Sequence, residues 1–393
     1  MRKPKYLSAG LLLGLASLAW GGDLPSKLAA MPPNTWLNTG LPWKGGNEVP
    51  MCFDQANRLF FKYGGCGDPL PPVNIKFPAG DSRYPNGYSN TCWAVDMSKG
   101  EWVMICNYDA SWPMDRPGNG CSRGYCYDSK RKVIWMLGGQ SDGGGGFDVG
   151  DIASFDGKTR KFTPANSKHR PEGLCFDEGS AASCNLAYDP IHDLVLLPRN
   201  KSTLIYKPAE NAWEVRKKTE PAPGPGVYGS LVFDTAARRL VCPVPAHTGK
   251  TSKERPADTE TSIWKEGQGK TYLEYVEDTW TYDPETNKWE KLLLKPNAPR
   301  PSARWRCGLA FDSKNKVVVL VGGCVETWGS DEKYYNDVWV LDTAKAAWTK
   351  MNPPAPLPGG STSRDNRQCA YDEADNVILW QPRLGTVWAY RYQ

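Results

Sequence analysis

The chain has 393 residues, with 48 basic and 43 acidic side chains, 12 cysteines and 3 histidines. That length exceeds one ordinary core, so two or three domains or a repeat architecture must absorb it. The small charge surplus argues against a broad nucleic-acid-binding face, and so few histidines with no Cys-x-x-Cys pair argue against a structural zinc site.

Residues 1–22 read as a secretory leader, since Arg2, Lys3 and Lys5 precede an apolar run from Leu7 to Trp20 and then small residues. The run is shorter than the roughly 20 residues that cross a bilayer as a helix, and no later stretch is as apolar. The expectation is a secreted or periplasmic protein with no transmembrane anchor. Cleavage after Ala19 and cleavage after Gly21 both fit. Without the leader's cations the balance is 45 basic to 43 acidic residues, so any basic site must be a local cluster. All 12 cysteines fall in the exported part, an even number in a setting where disulfides persist.

From residue 49 one pattern recurs. An aromatic followed by Asp occurs at Phe53-Asp54, Tyr127-Asp128, Tyr188-Asp189, Phe233-Asp234, Phe311-Asp312 and Tyr371-Asp372, and each is followed by a second apolar run, such as Val133 to Leu137 or Val317 to Val321. These are hairpins, with an Asp whose carboxylate suits a turn. A second hairpin follows in constant register. Asp96 precedes Trp102, Asp156 precedes Phe162, Lys207 precedes Trp213, Asp283 precedes Trp289 and Asp342 precedes Trp348, always by six residues. One unit is therefore four strands, which cannot bury both faces alone, whereas six such sheets set radially bury each face against the next.

The sixth unit lacks a fourth strand, because "TVWAYRYQ" runs to Gln393. The segment "PNTWLNTG" around Trp36 has no first three strands before it and would complete that blade, locking the ring with one buried Trp. The expected fold is thus all-β, a six-bladed propeller over 23–393 as a single domain. Its blades fall near 49–105, 119–165, 182–216, 227–292, 305–350 and 367–393 plus 33–40.

The glycine pairs Gly64-Gly65, Gly138-Gly139 and Gly322-Gly323, an aromatic on the third strand and Trp on the fourth make the chain resemble Kelch-repeat propellers. The third, fourth and sixth units depart from the pattern, with "LLPRN", "CPVPA" and "WQPR" in place of the glycines. Some propellers of this kind are copper radical oxidases similar to galactose oxidase. Those need two histidines with tyrosines, and here His192 falls in a tight turn, leaving His169 and His247. Another exported type is similar to N-acetylneuraminate epimerase, which handles an acidic sugar. That resemblance would put acid–base work on loop carboxylates such as Glu172, Asp177, Glu178, Glu326 and Asp365. "SDGGGGFDVGD" from Ser141 lacks the ligand spacing of a calcium loop, and no cofactor or metal is expected.

Loop lengths divide the two ends of the propeller. Turns between strands one and two, and between three and four, are tight, whereas the insertions 64–90, 105–120, 163–183, 243–277, 322–336 and 351–366 all fall at the other end. Long loops without regular structure are usually functional, though tolerated surface loops are the plainer reading. On that long-loop face Arg123, Arg306 and Arg367 precede first strands, Arg304 lies just upstream, and Arg199 and Arg383 follow second strands. Together they suit a carboxylate, sulfate or phosphate, or alternatively they tie blades together. Trp305 and Trp328 lie on the same loops and suit sugar rings or a protein partner. Disulfides are expected to staple this face as Cys307 with Cys324, Cys66 with Cys92, Cys175 with Cys184 and Cys106 with Cys121. The resulting expectation is a binding module for an extracellular anionic glycan or protein, with a carbohydrate-active enzyme on the same face as the alternative.

Overall fold

The structure, a computed structural model, describes residues 23–46, 49–66, 88–107, 115–117, 123–138, 151–171, 186–199, 202–218, 230–243, 251–252, 262–266, 269–273, 278–304, 306–325, 333–355, 369–382 and 385–393. Six four-stranded antiparallel sheets make up the fold. The first strands, from blade one to blade six, are Cys52–Asp54, Gly124–Asp128, Ala187–Asp189, Val232–Asp234, Gly308–Asp312 and Cys369–Asp372. Each touches the next, and the sixth touches the first, so the sheets stand in a closed ring. Six apolar clusters fill the six junctions between blades. Phe61, Tyr63 and Cys92 of blade one, for example, pack on Ile134, Met136 and Phe155 of blade two. This is the burial that a single sheet cannot achieve alone.

The tight turns repeat one backbone solution. In every first hairpin the residue four places after the Asp has a left-handed backbone: Arg58, Lys132, Asp193, Arg238, Lys316 and Asn376, with φ between 52° and 60°. The Asp itself is buried in all six blades. One of its oxygens accepts from turn amides, as when Asp54 Oδ1 takes Ala56 N and Asn57 N at 3.1 Å. In four blades the other oxygen takes a side-chain donor three residues on, from Asn57 at 2.8 Å, Arg131 at 2.8 Å, His192 at 2.6 Å and Asn315 at 2.7 Å, while blade four has Ala237 there. In the sixth blade that position is Asp375, which cannot donate when ionised. Arg58 of blade one reaches across instead, 2.7 Å from Asp372 and 2.5 Å from Asp375.

The chain ends meet as the expected closure requires. Strand Thr35–Asn38 pairs antiparallel with Trp388–Arg391, setting Trp36 opposite Tyr390. The same register sets Trp213 opposite Tyr206 and Trp289 opposite Tyr282. An Asn two residues before each Trp completes the likeness: Asn211, Asn287 and Asn34 all have positive φ and accept the hydroxyl of the opposing Tyr at 2.9, 3.0 and 2.7 Å. Trp36 itself is half-buried, whereas Trp213 and Trp289 on the corresponding outer strands are buried.

A short helix, Leu24–Ala29, precedes this strand and has no counterpart in the expected pattern. Asp23 caps its start through Ser26 N at 3.0 Å. Leu24 and Leu28 join the cluster between blades six and one, and Arg391 binds the carbonyls of Leu28 and Met31 at 2.7 and 3.1 Å. Two insertions expected to be irregular also carry strands. A small sheet is built from Thr251–Ser252, Ser262–Glu266 and Gly269–Leu273, and Cys324–Val325 pairs with Lys333–Tyr334.

The expected disulfides are not formed by the cysteines whose side chains are described. Cys92, Cys106 and Cys307 are free thiols, so neither Cys307 with Cys324 nor Cys66 with Cys92 is bridged. Cys66 lies opposite Tyr88 and Cys92 opposite Tyr63, which puts them about 13 Å apart along the ladder at ~3.3 Å per residue. A bridge reaches roughly 7 Å between Cα atoms. Cys307 precedes the pairing of Gly308 with Val321, but Gly322 and Gly323, at φ 58° and 106°, turn the chain so that Cys324 pairs with Tyr334 instead. Cys106 sits opposite Cys92. Cys121, Cys175 and Cys184 lie outside the described residues.

Candidate ligand-binding channel

The six first strands surround an axial channel, because each blade turns its innermost strand toward the axis. A cavity of about 270 Å³ occupies its tight-turn end, and one of about 90 Å³ lies toward the long-loop end. They share Met51, Tyr125, Leu186, Leu231, Leu309 and Cys369, so they are two parts of one passage. Its lining side chains are mainly apolar, although polar atoms make up about half of the wall at one end and most of it at the other. The tight-turn mouth is rimmed by Gln55, Thr235, Ser313 and Glu373, each the residue after a turn Asp. Gln55 is already engaged there, donating to Tyr371 O at 2.7 Å and accepting from Glu373 N at 3.1 Å, while Ser313 donates to Glu373 at 3.1 Å.

At the long-loop end the polar lining is Ser230, which donates to Cys307 O at 2.5 Å. Immediately outside the lining stand the arginines. Arg123 directly precedes Gly124, and Arg306 directly precedes Cys307. Their blades, the second and the fifth, face each other across the ring. Both side chains are covered, with Arg123 2% and Arg306 6% exposed, and Arg199 at the end of blade three's second strand is 8% exposed. The Arg123 guanidinium lies 5.5 Å from the centre of the Tyr63 ring, a cation over an electron-rich face.

Arg304 has a different posting. It is 1% exposed, and its donors reach Ser302 O at 2.9 Å, Gly322 O at 3.0 Å and both oxygens of Asp337 at 2.5 and 3.2 Å. The Tyr335 ring covers it at 3.9 Å. Burial pushes the Asp337 carboxyl up, but the Arg304 guanidinium and the Trp339 ring N–H outweigh it and hold Asp337 below its usual range. Arg304 therefore fastens the Gly322-Gly323 turn to the start of the third strand within its own blade, the fifth.

The remaining sequence candidates divide plainly. Arg367, Arg383, Trp305 and Trp328 lie outside the described residues, as do Glu172, Asp177, Glu178, Glu326, Asp365 and His247. His192 is held in its tight turn by Asp189, and His169 is exposed beside the outer strand of blade three. Among the described residues no group of three or more His, Cys, Asp or Glu is placed to hold a metal ion, and no described helix is long and apolar enough to cross a membrane. Sequence reading did not pick out the inter-blade ion pairs of Arg58 with Asp372 and of Arg131 with Asp193, the latter at 2.6 Å. An arginine within four residues of the turn Asp, Arg58 after Asp54 and Arg131 after Asp128, was the available signal.

Fold and channel together define the protein as a six-bladed β-propeller closed by its own two ends, a class that commonly serves binding and interaction. Comparison with known protein families finds none whose pattern matches the chain.

Proposed function

We propose that the chain is an exported, Kelch-like propeller that binds an anionic partner at the long-loop mouth of its axial channel. The observation behind this reading is the pair Arg123 and Arg306, cations set on facing blades directly outside a passage whose lining side chains carry no charge at that end. Both guanidinium groups are covered and have partners within the protein, so what they bring to the mouth is positive charge that little water screens. The left-handed glycines Gly64, Gly65, Gly138, Gly322 and Gly323 support the Kelch resemblance. The leader-like residues 1–22 support export. An acidic glycan is the favoured ligand, with an acidic protein segment as the other form of the same chemistry.

A glycan array read at low and at high salt tests the proposal, with product analysis on every glycan that binds. Binding to sulfated or uronic-acid glycans that weakens with salt and is lost in Arg123→Ala or Arg306→Ala, with no product formed, supports a binding module. Turnover of a bound glycan would instead establish the enzyme reading. Salt-insensitive binding that survives both substitutions would rule out the arginine mouth.

A further inference from the structure

We infer that Cys92 and Cys106 form a redox-active thiol pair, a modification site at the long-loop end of blade one that closes to a disulfide by exchange with a small-molecule disulfide. The two residues are directly opposite in the ladder between strands Tyr88–Asp96 and Glu101–Cys106. Opposed antiparallel positions hold their Cα atoms about 4.5 to 5.5 Å apart, inside the range a disulfide spans. A register shift next to Cys92 skips Ile105, so Cys106 meets Cys92 although the regular ladder would have placed Ile105 there.

The two thiols are unequal in the way exchange chemistry requires. Cys92 is fully buried and burial raises its thiol well above the usual range, whereas Cys106 is half-buried and its thiol is lowered, first by the hydrogen bond from Cys92 and then by the charge of Arg116. Arg116 is fixed beside it by a 3.0 Å bond to Asn107 O, the residue after Cys106. Arg116 is also paired with Asp115 at 2.8 Å, yet its charge still lowers the Cys106 thiol; a partly exposed thiol near a cation is the more reactive kind, and a buried thiol in apolar surroundings is inert until a neighbour presents a target. By contrast Cys52, Cys126, Cys242 and Cys369 are buried and raised.

Cys106, as thiolate, attacks a disulfide RSSR, forming a mixed disulfide and releasing RSH once its proton is returned. Cys92 then loses its proton and attacks the Cys106 sulfur, closing the bond between the two residues and releasing a second RSH. Two thiols are oxidised and one disulfide is reduced, so electrons and protons balance. The pair differs from every bridge expected from spacing, because it joins neighbouring strands of one hairpin and needs no loop.

Full-length protein equilibrated across glutathione buffers from fully reduced to oxidised, alkylated in denaturant and digested, gives the test. The expected product is a peptide pair linked through Cys92 and Cys106, lighter by two hydrogens, that disappears reversibly in the reduced buffer. Cys92→Ser should leave glutathione trapped on Cys106, and Cys106→Ser should leave Cys92 unmodified in the folded protein. Separate alkylation of Cys92 and Cys106 in the oxidised wild-type protein overturns the inference whatever the variants do, as does a bridge from Cys106 to a different cysteine.

Discussion

Replacing Trp36 by Ala tests the ring closure with the least disturbance elsewhere. Trp36 lies 4.9 Å from the Tyr390 ring and 5.7 Å from the Trp380 ring, measured between centroids. Truncating a fully buried Trp costs ~3 to 5 kcal/mol. Trp36 is half-buried, so roughly half of that applies, and the two ring contacts add about 1 kcal/mol. The expected loss is about 3 kcal/mol, which at about 2 cal/mol/K of unfolding entropy per residue lowers Tm by about 4 °C in a propeller of this length. Differential scanning calorimetry reads this directly, and Trp213→Ala in the uninterrupted third blade provides a reference that should fall further, since Trp213 is buried. An unchanged Tm for Trp36→Ala beside a lowered one for Trp213→Ala would refute closure through the amino-terminal strand.

Arg58→Met should destabilise the protein by roughly 3 to 5 kcal/mol at neutral pH, because it strands buried Asp372 beside Asp375. Burial already raises the Asp372 carboxyl to about 6, above its unfolded value of about 4. The folded state therefore takes up a proton between those values, this group's contribution improves as pH falls through 6, and the urea-midpoint deficit of Arg58→Met should shrink from pH 7 to pH 5. An equal deficit at both would contradict the assignment. Asp193 acts oppositely, since Arg131 first of all holds its carboxyl far below the usual range; Arg131→Met should remove stability that the wild type keeps at neutral pH and loses only in strong acid, as two acid titrations of unfolding would record. Ala346 turns the second hairpin of blade five with φ 48°, so Ala346→Gly should raise stability by about 1 kcal/mol in urea melts; a loss would mean that the turn is not left-handed. Arg304→Ala should cost ~3 to 5 kcal/mol and be largely restored by adding Asp337→Leu. A loss of glycan binding in Arg304→Ala at unchanged stability would instead make it a ligand contact.

The repeat was legible in the chain because each blade is a local object. The aromatic-Asp turn, the six-residue interval to Trp and the period-two strands are set by contacts only a few residues apart, and the orphan strand at Trp36 followed from counting. "NTW", "NAW" and "NKW" at Asn34, Asn211 and Asn287 carried the closing register too, through a Tyr–Asn bond whose partner stands beside the turn in blades three and four but at the far end of the chain in blade six. What the tertiary structure decided lies between blades and across hairpins. Whether Arg304 holds Asp337 or a ligand depends on where the Gly322-Gly323 turn delivers Asp337. Cys92 lies near Cys106 rather than Cys66 because a register shift brings Cys106 opposite it, while a four-residue offset along the ladder separates it from Cys66. Arg58 meets Asp372 only because the ring closes, and no pairing of residues 314 positions apart is written in the order of the amino acids. Short-range hydrogen bonding and apolar period determine the blades, while their radial packing determines which charges and thiols meet.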